Sequence, residues 1–399
     1  MGYNKINRCV CCDSDAVSPL LDLGQQPLAN NLKTHSEKYP LLVNLCEQCW
    51  HMQLSVAVDP SELFSEYLYV SGTTKTLRDY FEWFSNFAIE QRPGATTILD
   101  IACNDGSQLD AFADIGLQTY GVDPAKNLWP ISTQRHSVVC DFFNEASCSQ
   151  LNTPVFDLIV AQNVVAHTAD PCALLSDCKK FMSADSLLMI QTSQANMVVN
   201  GEFDTVYHEH ISFFSLSSMC ALANRAGLYV VDAIKTPIHG TSWVFILSTV
   251  QNNAARMQNL LDLEAAQGLH NIYTYMSYID NCRSIQDGLK SMMQLLRNNG
   301  AKLIGYGAAA KGMTLLNSID ESLDCIIDDN TLKQGTLAPG NLTPIVSNSI
   351  LSQLDHDTKV VFVPLAWNFF TEIRARIQQQ RQNNNDQFLR YFPRVELIQ

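Results

Sequence analysis

Thr96-Thr97-Ile98-Leu99-Asp100-Ile101-Ala102-Cys103-Asn104-Asp105-Gly106-Ser107 is the stretch that decides the fold. A short run of β-branched and aliphatic residues gives way to a polar loop with one glycine, and a helical segment follows. The same alternation then repeats. Strands are expected over Leu117–Val122, ending at Asp123; over Ser137–Cys140, ending at Asp141; over Val155–Ala161, ending at Gln162-Asn163; and over Ser186–Gln191. Strand–helix alternation of this kind predicts an α/β, doubly wound, Rossmann-like parallel sheet, which receives its ligand at the carboxyl ends of the strands.

The loop after the first strand discriminates between cofactors. A dinucleotide needs G-x-G-x-x-G, so that its pyrophosphate can reach a helix N-terminus. Here there is one glycine, Gly106, and two acids precede it, Asp100 and Asp105; carboxylates repel phosphate. They suit a cationic, amino-acid-bearing ligand instead. Asp123 is placed to take both hydroxyls of a ribose, and Asp141 to accept from an adenine amino group. S-adenosylmethionine is therefore expected rather than NAD. Strands at Leu228–Ala233 and Trp243–Val250 would complete a methyltransferase sheet.

Between strand five and the next helix lies Phe203-Asp204-Thr205-Val206-Tyr207-His208-Glu209-His210. A phenol, two imidazoles and carboxylates this close together form an acid–base set for work near neutral pH. His167, after strand four, and His239-Gly240-Thr241-Ser242, between the last two strands, are expected above the same edge.

Toward the N-terminus, Cys9-Val10-Cys11-Cys12 and Cys46-Glu47-Gln48-Cys49 are two CxxC knuckles. Their spacing selects Cys9, Cys12, Cys46 and Cys49 as a tetrahedral Zn²⁺ shell of structural type, organising a segment with little apolar material of its own. Residues 60–92 read as helical, starting at Asp59-Pro60, with a Ser71-Gly72-Thr73 break. Toward the C-terminus, 252–298 reads as one long helical stretch. A second α/β unit opens at Ala301–Gly305 with Gly305-Tyr306-Gly307-Ala308-Ala309-Ala310-Lys311, where Lys311 can meet a phosphate, and continues with strands at Cys325–Asp328 and Lys359–Pro364. The domains expected are 1–60 (zinc), 61–250 (methyltransferase, with its helical lead-in) and 251–399 (C-terminal α/β).

The 399 residues carry a net charge of −14, which argues against nucleic acid or anionic membrane as partner. No apolar run reaches the ~18 residues of a membrane span. With 13 cysteines and no export signal, a cytoplasmic protein with free thiols is expected.

Together these motifs resemble one family, the three-domain sugar-nucleotide C-methyltransferases, such as the C-3 methyltransferases of branched deoxysugar biosynthesis. The resemblance rests on both CxxC pairs, Gly24-Gln25-Gln26-Pro27-Leu28-Ala29-Asn30, Tyr67-x-Tyr69-x-Ser71-Gly72-Thr73, Cys103-Asn104-Asp105-Gly106, Asn163-Val164-x-Ala166-His167, Tyr207-His208-Glu209-His210 and the Gly305–Gly312 loop, in order over nearly the whole chain. It implies a 4-keto sugar nucleotide whose acidified C3 proton is removed by His210, with Tyr207, Glu209 and His167 positioning the base and stabilising the enolate oxygen. The cofactor residues expected are Tyr67, Ser71, Asp100, Asn104, Asp105, Gly106, Asp123, Asp141, Phe142, Gln162 and Asn163. His239, Tyr306 and Lys311 are expected at the substrate. Two departures stand out: Asp100-Ile101-Ala102 where the family shows Glu-Ile-Gly, and His239-Gly240-Thr241-Ser242-Trp243-Val244 where it shows His-Gly-Gly-Ser-Leu-Arg. Alternative readings are an O- or N-methyltransferase, or a non-catalytic zinc protein that binds the same ligands.

Overall fold

The computed structural model describes residues 2–32, 37–64 and 71–399. The chain forms two compact units. One comprises Met1–Ser18, Asn44–Ala195 and Glu209–Asn271; the other comprises Pro19–Val43, Asn196–His208 and Ile272–Gln399. The boundary crosses the histidine-rich stretch between His208 and Glu209.

The N-terminal strands are β1 (Tyr3–Lys5), β2 (Val17–Pro27), β3 (Lys38–Cys46), β4 (Met52–Leu54) and β5 (Val56–Val58). Leu45, Met52, Leu54, Val56 and Val58 are all buried here. The segment thus brings more apolar material than expected, because its β-branched and leucine residues fall in strands packed on both faces. After α1 (Pro60–Phe64), α2 (Lys75–Gln91) starts at Thr74, whose side chain accepts from Leu77 N at 3.3 Å. Its buried face is Leu77, Phe81, Phe84 and Ala88, one stripe at helical spacing.

The central sheet contains β6 (Thr97–Ile101), β7 (Gln118–Val122), β8 (Ser137–Val139), β9 (Leu158–Gln162), β10 (Leu187–Thr192), β12 (Tyr229–Thr236) and β13 (Ser242–Ser248); β11 (Ser212–Phe213) pairs with β4 instead. The order is β12-β13-β10-β9-β6-β7-β8. Strands β6 to β10 run parallel, while β13 is antiparallel to both β10 and β12. The strand order reverses between β6 and β9, which opens the crevice there. Side chains alternate between two cores. Leu99, Ile101, Ile159, Ala161, Leu188 and Ile190 face one; Ile98, Leu158, Val160, Met189, Val244 and Ile246 face the other. Each such side chain larger than alanine contributes about 2 kcal/mol by leaving water. The CxxC cysteines Cys9, Cys46 and Cys49 belong to the first of these cores.

Helices α3 (Ser107–Asp114), α4 (Trp129–Ser132), α5 (Glu145–Ser149), α6 (Pro171–Lys180), α7 (Met197–Asn200) and α8 (Leu216–Arg225) link the strands. Buried Glu264 of α9 (Ala254–Ala266) accepts from the amides of Leu216 and Ser217 at 2.6 and 3.0 Å, placing a carboxylate at the positive end of α8. The helical stretch expected over 252–298 is in fact two helices, α9 and α10 (Ile272–Asn298). Gly268 adopts φ +79°, a left-handed turn that ends α9.

The second unit holds β14 (Lys302–Tyr306), β15 (Cys325–Ile327), β16 (Ile345–Val346), β17 (Val360–Pro364), β18 (Gln387–Arg390) and β19 (Glu396–Ile398), with α11 (Ala310–Ser318) and α12 (Phe370–Arg381). The order is β16-β15-β14-β17-β18-β19, parallel apart from β19. Here the acid after β15, Asp328, accepts from Ala308 N at 2.6 Å and Asn330 N at 2.8 Å, bracing the loop after β14. The 196–208 segment docks on this unit. Phe203 meets Phe392 edge-on at 5.7 Å, Tyr278 Oη donates to the Glu202 carbonyl, and Trp367 Nε1 donates to Asp204 at 2.7 Å.

Candidate active site and zinc centre

Acids gather at the carboxyl edge of the central sheet. Asp100 is buried within β6, beside Gly121 of β7 and Val160 of β9. Burial first, then Asp123 and Asp105, raises its carboxyl well above the ordinary range. Asp123 follows β7 and is also raised by burial, while two amides pull it the other way: Asn104 N at 2.8 Å and Ala125 N at 2.7 Å. Asn104 Oδ1 accepts from Ser71 N and Asp105 from Gly72 N, both at 3.0 Å, so the Ser-Gly-Thr break closes directly onto the loop. Gly106 starts α3 at φ +85°, where a Cβ would lie 3.0 Å from His136 and 3.3 Å from the Ser132 backbone.

The remaining cofactor candidates are more scattered. Asp141 follows β8, and both it and Phe142 are exposed; Asp141 accepts from Phe142 N at 2.8 Å. Gln162 ends β9 and donates to Gln108 at 2.6 Å, while Asn163 N donates to the Gln191 carbonyl. Tyr67 lies outside the described residues. Crowded, partly desolvated acids with no cationic partner among the described residues are a fit for a ligand bearing an ammonium and a sulfonium. Asp123, whose oxygens each take one amide, keeps acceptor capacity for ribose hydroxyls.

Several non-glycine residues along this edge hold positive φ: Ala102 (59°), Asn104 (53°), Asn163 (54°), Gln194 (71°) and His239 (56°). Such conformations persist only where the surroundings enforce them, and they gather at functional sites. His167 lies in a 3₁₀ turn after β9, and its ring stands edge-on to that of His210 with centroids 4.9 Å apart. Burial pushes His167 down to about 4, against a hydrogen bond to the Glu209 backbone, so it is neutral at pH 7. Buried His210 meets Gln194 Nε2 at its Nδ1, at 3.0 Å.

In the other unit, Asp204 is fully buried, and burial raises it to about 6 although Lys311 and the Trp367 hydrogen bond oppose the shift. Lys311, in the first turn of α11, lies over the Trp367 ring with Nζ 5.3 Å from its centroid. Tyr306, at the end of β14, donates to Asp329 at 3.2 Å, and Arg376 bonds both residues. His208 is buried against Tyr39, with ring centroids 5.8 Å apart, and burial takes it to about 4. Tyr207 is partly buried.

At the N-terminus the sulfurs of Cys9, Cys12, Cys46 and Cys49 all lie within 4.8 Å of one another, and the Cys9–Cys49 and Cys12–Cys46 pairs are 3.5 Å apart. A tetrahedral zinc thiolate centre places sulfurs ~3.8 Å apart, so the four fit the ion. Hydrogen bonds from Cys11 and Cys49 pull Cys9 toward the thiolate that a metal requires. His51 instead turns its Nε2 to Ser212 Oγ at 3.2 Å.

Three family models match in tandem: a zinc binding domain over residues 9–64, a methyltransferase domain over 72–233, and a C-methyltransferase C-terminal domain over 237–393. Together they run from residue 9 to residue 393 in the domain order of a C-methyltransferase: zinc binding, methyltransferase, then the C-methyltransferase C-terminal domain. The C-methyltransferase NovU of Streptomyces niveus is 28% identical over 388 residues, covering 92% of this chain and 91% of that protein. A ubiquinone biosynthesis O-methyltransferase of Cereibacter sphaeroides is 26% identical over 167 residues, 38% of this chain and 68% of that protein. Among solved structures, an S-adenosylmethionine-dependent methyltransferase from Clostridium acetobutylicum overlaps 45% of this chain and 94% of that one, at TM-score 0.35 and 10% identity. This C-methyltransferase uses S-adenosylmethionine and carries zinc. Among its described residues, no helix is long and apolar enough to cross a membrane.

Sequence reasoning missed two residues of this C-methyltransferase's crevice edge. Gln108 receives the Gln162 amide, and Gln194 meets His210. The second was within reach: strands one to four were read by their polar ends, and Gln194 stands just beyond the end of strand five.

Proposed function

We propose that the enzyme methylates C3 of a nucleotide-activated 4-keto-deoxysugar. The observation that carries this reading is the pair of packed imidazoles at the same sheet edge as the crowded acids. A carbon acid needs a base, whereas an O- or N-methyltransferase can rely on a heteroatom that is already nucleophilic. His210 takes the C3 proton. His167 stays neutral at pH 7 and so does not oppose the charge His210 gains. Tyr207 and Glu209 support the base and the enolate oxygen. S-adenosylmethionine, when bound, supplies an electrophilic methyl group.

Asp123 would accept from the ribose hydroxyls. Asp100, Asp105, Asn104 and the Gly106 turn would face the cationic end, with Ser71, Asp141, Phe142, Gln162 and Asn163 as further contacts. On the substrate side, Lys311 and Tyr306 would meet the nucleotide and His239 the sugar. A cytoplasmic setting suits thirteen unpaired cysteines.

The test is exchange in D₂O. A panel of nucleoside diphosphate 4-keto-deoxysugars is incubated with enzyme, and loss of the C3 proton is followed by NMR. Wild type is expected to exchange at least one of them and His210→Asn none. Absence of exchange and of methyl transfer across the whole panel would refute the reading.

A further inference from the structure

The residue that the reaction scheme leaves unused is Gln194. Its amide is buried at the carboxyl end of β10, on a backbone at φ +71°, and the next residue is held by the Ala195 N to Thr241 carbonyl bond of 3.0 Å. Gln194 Nε2 lies 3.0 Å from His210 Nδ1, while its Oε1 is buried without a partner among the described residues. A side-chain amide can make a half-turn, exchanging donor and acceptor in place. In one orientation the amide N–H donates to Nδ1, and neutral His210 then carries its proton on Nε2. In the other, Oε1 accepts from Nδ1–H, and the lone pair sits on Nε2.

These two states differ in chemistry. Only the second leaves Nε2 able to take a proton. Only the second also satisfies the imidazolium that results, because a histidine protonated at both nitrogens has Nδ1–H to donate and nothing to accept with. A buried acceptor without a partner is disfavoured, and protonation of His210 supplies the donor that Oε1 lacks. Among the described residues, the titratable group in ring contact with His210 is His167, neutral at pH 7; Glu209 precedes His210 in the chain, and its backbone carbonyl is engaged by His167. Phe213 meets the His210 ring edge-on.

We propose that Gln194 is a positioning residue for the base: its side-chain carbonyl accepts Nδ1–H of His210, fixes the tautomer with Nε2 as the basic atom, and holds the imidazolium once the substrate proton has arrived. The inference rests on the reading of His210 as base. In that role Gln194 does what a carboxylate does for a catalytic histidine, orienting the ring, but without the carboxylate's charge.

The experiment is the pH profile of C3 exchange in D₂O with the same substrate panel, for wild type, Gln194→Met and Gln194→Glu, each first checked for zinc content and S-adenosylmethionine binding. Methionine fills the space but cannot accept Nδ1–H. It is expected to lower the exchange rate by about 10²- to 10⁴-fold with little change in KM, the loss seen when a catalytic histidine is held in the wrong tautomer. Glutamate can accept, and it stabilises the imidazolium. It is expected to retain exchange within about tenfold while moving the acidic limb of the profile up by about one pH unit. A glutamine that merely fills space would leave that limb unmoved in both variants. Exchange by Gln194→Met at the wild-type rate, or an unmoved limb in Gln194→Glu, overturns the inference. Should Gln194→Met fail to fold, the limb shift in Gln194→Glu decides alone. His210→Asn separates the two readings. Exchange that persists in it refutes the base assignment and this inference with it; loss there, beside an unimpaired Gln194→Met, refutes the role of Gln194 alone.

Discussion

His208 and Asp204 lie four residues apart, both buried, and titrate in opposite senses. Burial lowers His208 from 6.5 to about 4. Between those values the unfolded chain binds a proton that the folded one refuses, so His208 makes the protein less stable as pH falls. The slope is ~1.4 kcal/mol per pH unit, or about 3 kcal/mol across the window. Asp204 is raised from 3.8 to about 6. There the folded chain holds the extra proton, so the contribution is full below pH 3.8 and is lost as pH rises through 6, again about 3 kcal/mol. Either figure is a large part of the ~5–15 kcal/mol that holds a protein folded. The assay is urea unfolding at pH 7.5, 6.0, 5.0 and 4.5 for wild type, His208→Phe and Asp204→Asn. Phenylalanine keeps an aromatic ring against Tyr39, and asparagine keeps an acceptor for Trp367 Nε1, so each substitution removes the titration while preserving a packed contact. Relative to wild type, His208→Phe should gain stability as pH falls from 6.5, and Asp204→Asn should lose it below 6. Parallel curves for wild type and His208→Phe over the whole range would refute the claim that His208 is buried neutral.

Three further outcomes are expected. Cys46→Ser and Cys49→Ser proteins, analysed for metal by mass spectrometry, should lose zinc and melt at lower temperature, because the four sulfurs form one shell; full zinc content in either would contradict the ligand set. Asp123→Asn places an amide N–H against one of two backbone donors, and should weaken S-adenosylmethionine binding about 30-fold, or ~2 kcal/mol, by calorimetry, with unchanged affinity counting against the ribose contact. Gly106→Ala forces a Cβ into φ +85° and to 3.0 Å from His136; a cost of about 1–2 kcal/mol should show as a melting temperature several degrees lower, and an unshifted one would mean that the turn relaxes.

Much of the fold was legible because its signals are local. Val160 and Ala161 sit in an apolar run that reads as a strand by itself, and the polar residues at strand ends mark the crevice. Gly268 was passed over because one glycine in a long polar helix carries little weight until its φ is known. Asp100, Asn104, Asp105 and Asp123 were legible as a group, since they lie at or just after the ends of the first two strands; Asn104 N donates to Asp123, while Asn104 and Asp105 accept from Ser71 and Gly72. Gln194 was not read, because its meeting with His210 depends on how the chain turns after β10, and nothing in the glutamine itself announces that. The sequence assigns His208 no role of its own within the acid–base stretch. Its burial against Tyr39 comes from a strand 160-odd residues away in sequence, beyond the reach of any local pattern.

Asp123 and Asp328 repeat one construction. In each, the acid after the second strand of its sheet spends one oxygen on an amide of the loop after the first strand and the other on the amide two residues ahead. Both carboxylates are thereby locked in place before any ligand arrives, so a hydroxyl that meets one finds an acceptor already aimed, with no rotor left to freeze. The amide that a phosphate oxygen would seek at such a turn is already taken. Loops built this way favour hydrogen-bond donors such as ribose hydroxyls, which find an acceptor already aimed.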